Sequence, residues 1–276
     1  MILSSVTVSL VPSLQGGPWI YWDSPEISFA KAKAAGFDGV ELFTESADAL
    51  DPDVLLELLD SLELRISAVG TGAGKVLHQL YLTSPDEEVR LRAREFIHAM
   101  IDFASPLQAP VIIGSMQGQV VEGIEYQQAL AWLGEGLRDL SLHAAEKGIR
   151  VLLEPLNRYE TNLINRLEEG ADIVRSLDCE NVFLLADLFH MNIEEESIAQ
   201  AIRASSEYIG LVHFADSNRR PAGMGHIDMA AVAEALEEIG YNGYVSAEAL
   251  CYPSPDRAAA QTIAAFREFF DQACQQ

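Results

Sequence analysis

Eight short apolar runs alternate with longer amphipathic segments along the whole chain, and this alternation restricts the fold more than any other feature. Candidate strands fall near 2–10, 37–42, 64–69, 109–113, 149–153, 181–186, 208–213 and 243–248. Candidate helices fall near 24–35, 52–61, 85–105, 122–147, 166–177, 193–204, 228–239 and 255–273. Repeated strand–helix units imply parallel strands joined by crossovers. Eight of them in 276 residues suit a closed (β/α)₈ barrel. No low-complexity linker interrupts the series, so residues 1–276 are expected to form one α/β domain, a TIM barrel.

Helix punctuation agrees. Ser24-Pro25, Asp51-Pro52, Ser84-Pro85 and Ser254-Pro255 each offer a capping side chain followed by proline at the first helical position. Glu87, three residues after Ser84, predicts a capping box. Gly36, Gly148 and Gly240 stop helices just before strands. Loops after helices are minimal, whereas those at 11–23, 70–83 and 214–227 are long, which puts the working face at the strand C-termini. Two of these loops carry Trp19, Tyr21, Trp22, His78 and Tyr81, aromatics suited either to packing over the barrel mouth or to a lid on a small polar ligand.

Four consecutive strand ends bear metal-capable side chains: Glu154, Asp187, His213 and Glu248, spaced 33, 26 and 35 residues apart. Neighbouring parallel strands would gather all four at one rim. Three carboxylates and an imidazole suit Mn²⁺, Mg²⁺ or Co²⁺ better than a thiolate-preferring metal. Such a shell is formally negative, so the substrate is expected to be neutral or to need a cation, which Arg158, Arg219 or Arg220 would supply. His190 follows Asp187 by three residues and is assigned to substrate contact, and Asp228 is read as a helix cap.

A net charge of −24 repels phosphate backbones and gives no footprint for nucleic acid or an anionic membrane. The three cysteines have no CxxC spacing, and the apolar N-terminal run has no basic residue before it. A reducing compartment, the cytoplasm, is expected.

Most of the chain, and most strongly residues 150–250, resembles the xylose isomerase-like TIM barrel superfamily, and within it the ketose 3-epimerases. Glu154-Pro155-Leu156-Asn157-Arg158-Tyr159-Glu160 is similar to that branch's E-x-x-N-R-[FY]-E signature. The segment from Asp187 to Glu195 is similar to D-x-F-H-M-N-I-E-E, His213–Arg219 to H-x-x-[ED]-S-N-R, and Gly225–Asp228 to G-H-I-D. The resemblance implies one divalent ion, Mn²⁺ in first place with Mg²⁺, Co²⁺ and Zn²⁺ as alternatives, held by Glu154, Asp187, His213 and Glu248. It also implies that Glu154 and Glu248 act as catalytic acid and base on opposite faces of a keto sugar. Glu160, His190 and Arg219 would hold the sugar's oxygens. A homo-oligomer, dimer or tetramer, is expected on the same ground.

The implied reaction is proton transfer through a cis-enediolate, with ketose C3 epimerisation as the leading expectation. Aldose–ketose isomerisation of the hydroxypyruvate isomerase kind and inosose-type dehydration use related apparatus and stay open. DNA-repair hydrolysis of the endonuclease IV kind needs further histidines at earlier strand ends, where this chain has Val69-Gly70-Thr71 and Gly114-Ser115. A non-catalytic sugar-binding barrel would not need the whole four-residue set.

Overall fold

Strands β1 (Leu3–Ser9), β2 (Gly39–Phe43), β3 (Arg65–Gly70), β4 (Val111–Ile113), β5 (Val151–Leu153), β6 (Val182–Asp187), β7 (Ile209–His213) and β8 (Tyr244–Ala247) pair in chain order. All neighbours are parallel, and β1 closes on β8 through Leu3↔Tyr244 to Val6↔Ala247. The computed structural model describes residues 1–271. Each expected strand is present within a residue or two of its sequence bounds. The expected end of the last helix at 273 lies outside the described residues.

The outer layer comprises α1 (Pro25–Ala35), α2 (Pro52–Leu62), α3 (Ala73–His78), α4 (Glu87–Ala104), α5 (Tyr126–Glu146), α6 (Leu167–Leu177), α7 (Leu188–Glu194), α8 (Ile198–Ala204), α9 (Met229–Glu238) and α10 (Pro255–Phe270). Their apolar faces bury against the outside of the barrel, where Val6, Val40, Val111, Val151, Leu184 and Val212 meet Phe29, Ile97, Leu137 and Ile263 in one cluster. Alternate strand residues point inward, and Ala68, Ile112, Leu152, Leu185 and Leu211 fill the barrel axis. Burial on both faces explains why the strands read as near-continuous apolar runs rather than as alternating ones.

Three local expectations need correction. The helix expected at 85–105 begins at Glu87, with Asp86 as its cap: the Asp86 carboxylate accepts from the Glu88 N–H at 2.9 Å. Ser84 instead accepts from the Asp86 N–H, so the capping box is not formed there. Asp51 does cap α2, whereas the Ser24 and Ser254 side chains accept nothing from their helices. The helix expected at 193–204 is two helices, the first starting directly after β6. Among the described residues no helix is long and apolar enough to cross a membrane.

Candidate metal centre

Glu154, Asp187, His213 and Glu248 converge as the strand-end spacing predicts: one donor atom from each lies within 4.8 Å of all the others. His213 Nδ1 is 3.0 Å from Asp187 Oδ2, 3.3 Å from Glu248 Oε2 and 3.5 Å from Glu154 Oε1. All four side chains are buried. Three carboxylates held this close repel one another unless positive charge stands among them. The oxygen-rich donor set, converging on one point, fits a hard divalent cation.

Local structure explains the aim of three of these side chains. Asp187 ends β6 and caps α7: its Oδ1 accepts from the N–H groups of Phe189 (2.8 Å) and His190 (3.1 Å), which leaves Oδ2 for the cluster. In β7 the register slips at Gly210, where a Cβ would meet Leu152 and Phe183 at under 3.0 Å. That extra residue turns Leu211 and His213 into the barrel. Glu154 packs against Gly114, where a Cβ would fall 2.3 Å from Glu154 Oε2.

Electrostatics inside the cluster are strong. Burial opposes ionisation of Asp187, but Arg219, His190 and His213 outweigh it and hold the carboxyl well below its usual range. Burial also opposes charge on His213, yet Glu41, Asp187 and Glu154 raise its imidazole well above the usual value.

Arg219 enters the same space. Its Nη1 donates to Asp187 Oδ2 at 2.8 Å and its Nη2 pairs with Glu248 Oε2. The residue adopts a left-handed φ of 59°, a conformation that costs a non-glycine residue roughly 1–2 kcal/mol. Buried Asp216 secures the turn, its carboxylate accepting from the N–H groups of Ser217, Gly223 and Ile227. Gly225 lies so close to Asp216 that a Cβ would sit 2.2 Å from Oδ1, and Asp228 caps α9 through the Ala231 N–H. The Gly225–Asp228 turn is therefore a scaffold for Arg219. Arg158 and Arg220, the other candidate cations, face elsewhere: Arg158 pairs with Glu194, and Arg220 stacks on Tyr252.

His190 is buried beside the cluster, with Nε2 3.9 Å from both Glu154 Oε1 and Asp187 Oδ2. Its Nδ1 accepts from the backbone N–H of Asn157 at 3.2 Å and faces Asn157 Nδ2 at 2.7 Å. Two donors at Nδ1 place the ring proton on Nε2, pointing into the cavity. Asn157 Nδ2 also donates to Glu160 Oε1 at 3.2 Å, which brings Glu160 to the exposed rim. Asn157 is a hub that the sequence reading passed over, although it lies inside a quoted motif. Gln117, also passed over, donates to the Glu154 carbonyl at 2.8 Å.

The cavity above the cluster measures about 460 Å³. Its lining combines the polar side chains of Glu154, Glu160, His190, Arg219 and Glu248 with the apolar ones of Val11, Leu14, Trp19, Phe43, Val76 and Leu250. Of the loop aromatics, Trp19 reaches the cavity and stacks edge-on with Phe43, whereas Tyr21 is buried in the core, bridged to Val8.

Comparison with known proteins agrees with this geometry. A family model described as the xylose isomerase-like TIM barrel matches residues 29–269. D-psicose 3-epimerase of Ruminiclostridium cellulolyticum is 32% identical over 246 residues, covering 83% of this chain and 81% of that protein. 3-Dehydro-D-guloside 4-epimerase of Escherichia coli is 40% identical over 113 residues, 41% of this chain and 43% of that one. A solved L-ribulose 3-epimerase superposes with a TM-score of 0.84 at 25% identity, covering 100% of this chain and 96% of the other.

Proposed function

The chain belongs to the xylose isomerase-like TIM barrel family, and we propose that it is a divalent-metal-dependent isomerase that epimerises a ketose at C3. The observation carrying this reading is the convergence of Glu154, Asp187, His213 and Glu248 within 4.8 Å at the floor of a cavity. Relatives named as D-psicose and L-ribulose 3-epimerases support the reaction class. Residues 1–276 work as one domain, in the cytoplasm and as a homo-oligomer.

The four residues hold the ion, with Mn²⁺ as the preferred occupant and Mg²⁺, Co²⁺ or Zn²⁺ as substitutes. When bound, the ion acts as a Lewis acid that lowers the pKa of the C–H bond beside the substrate carbonyl. The remaining work falls to the protein. Glu154 and Glu248 come from strands three apart in the ring and reach the reacting carbon from two directions. One carboxylate takes the C3 proton and the other returns a proton to the opposite face, each contributing about 10²–10⁴-fold. The cis-enediolate between these steps carries negative charge, which the Arg219 guanidinium and the His190 Nε2–H offset at close range. Glu160 accepts hydrogen bonds from the sugar's hydroxyls at the rim. The apolar wall of Trp19, Phe43 and Leu250 excludes water while the charge exists.

The E. coli relative, a 4-epimerase by name, favours a second reading. Removing the C4 proton beside a 3-keto group is the same chemistry moved along by one carbon.

One experiment tests both. The metal-loaded protein is incubated in D₂O with ketohexoses, ketopentoses and 3-keto glycosides, and carbon-bound deuterium is followed by NMR. Deuterium at C3 of a free ketose supports the first reading, and at C4 of a 3-keto glycoside the second. Glu154→Gln and Glu248→Gln should each abolish epimerisation. Wild-type exchange in both variants, or in chelator, would exclude the mechanism.

A further inference from the structure

Beneath the cluster lies a fourth carboxylate that the proposed mechanism does not use. Glu41, in β2, is fully buried inside the barrel, and its Oε1 is 3.0 Å from His213 Nε2. This is its one side-chain hydrogen bond among the described residues, and its Oε2 has no protein partner. Among the described residues it caps no helix and pairs with no Arg or Lys. A carboxylate stripped of water with so little compensation is costly to the fold. Whatever it does is therefore done to His213.

The surrounding backbone is shaped to deliver this contact. Glu41 pairs in register with Thr7 of β1 and Ala68 of β3. Ala68 leaves space at the axis. The β2–β3 register slips between Val40 and Glu41, so that Ser67 becomes the extra residue of β3. β7 carries a matching slip at Gly210, three residues before His213. Such irregularities re-aim side chains, and here one lies beside each member of the pair.

We infer that Glu41 is a positioning residue for the cation site: its carboxylate accepts the Nε2 proton of His213 and turns the Nδ1 lone pair toward Glu154, Asp187 and Glu248. A histidine that ligates through one nitrogen needs its other nitrogen held, and a carboxylate there fixes the ring and makes the ligand more basic. Glu41 meets both requirements from across the barrel. The inference rests on the metal-site part of the proposed function and not on the identity of the sugar.

The test uses the full chain and Mn²⁺ itself. Free Mn²⁺ is followed by electron paramagnetic resonance during titration of metal-free wild type, Glu41→Gln and Glu41→Asp. Glu41→Gln keeps the shape and removes the charge, so its dissociation constant should rise by about 10–100-fold, with Glu41→Asp in between. A purely structural role would lower the melting temperature and leave Mn²⁺ affinity unchanged. In a second measurement, ¹⁵N NMR of the Mg²⁺-loaded wild type should find the His213 proton on Nε2. That reading needs no substitution, so it stands even where a variant fails to fold. Unchanged Mn²⁺ affinity in folded Glu41→Gln, or a His213 proton on Nδ1, overturns the role of Glu41 and leaves the epimerase reading intact. Wild type that takes up no Mn²⁺ overturns the metal site itself, and the two failures are thereby told apart.

Discussion

Replacing Gly114 with alanine should disable the site although no residue assigned to chemistry is itself substituted. An alanine Cβ would stand 2.3 Å from Glu154 Oε2 and 3.4 Å from its Cδ. Ordinary contact between such atoms begins near ~3.4 Å, so the carboxylate must retreat by about 1 Å. The obstructing atom is the tip of a flexible side chain, which can swing aside at little cost to folding. It swings, however, out of the geometry shared with Asp187, His213 and Glu248. Misplacement of a reacting group by about 1 Å can cost about 10²-fold in rate. Gly114→Ala is therefore expected to melt close to wild type while losing about 100-fold in metal-dependent solvent-deuterium exchange and binding Mn²⁺ more weakly. Circular dichroism melts, the D₂O exchange assay and Mn²⁺ titration read the three quantities. A folded variant with wild-type exchange and affinity would refute the idea that Glu154 must occupy its observed position.

Two further outcomes follow from particular contacts. Asn157→Asp replaces the amide donor facing His190 Nδ1 with an acceptor and draws the ring proton away from the cavity. KM should rise at least about tenfold if that hydrogen bond to substrate is worth about 1.4 kcal/mol or more, and an unchanged KM would deny His190 its role as donor. Burial, helped by Asp256 and Asp23, pushes the Tyr21 phenol up to about 12. A raised pKa of this sign gives stability that is complete below pH ~10 and lost as pH climbs toward 12, about 2–3 kcal/mol in all. Denaturant titrations at pH 9 and 11 should show about half of that loss, roughly 1.3 kcal/mol, and Tyr21→Phe should lose correspondingly less. The comparison isolates Tyr21 from Tyr241 and Tyr244, whose phenols burial also raises.

Much of the barrel and the heart of the site were legible in the sequence because one rule governs both. In a parallel barrel each strand ends on the same rim, so metal-capable residues that close four successive apolar runs must meet. Other features lacked such a rule. Glu41 sits in Gly39-Val40-Glu41-Leu42-Phe43, where a lone acid between apolar neighbours reads as an ordinary strand residue, and only ring closure brings it to His213. Helix α7 was missed because Asp187 ends the strand and caps the helix with no loop between them. By position alone three arginines near strand ends are equivalent as cations, and only the family resemblance singles out Arg219; the physical reason is the Asp216-braced turn that bends it back over the cluster. Ser84 yielded to Asp86 because a carboxylate two residues later lies nearer the first free N–H groups of α4.

The most direct test of the account is anomalous diffraction from crystals grown with Mn²⁺. A single strong peak within about 2–2.5 Å of one donor atom each from Glu154, Asp187, His213 and Glu248 is expected, with Arg219 withdrawn from the shared oxygens. A peak bound elsewhere, or four side chains that remain closed around Arg219 at saturating Mn²⁺, would contradict it.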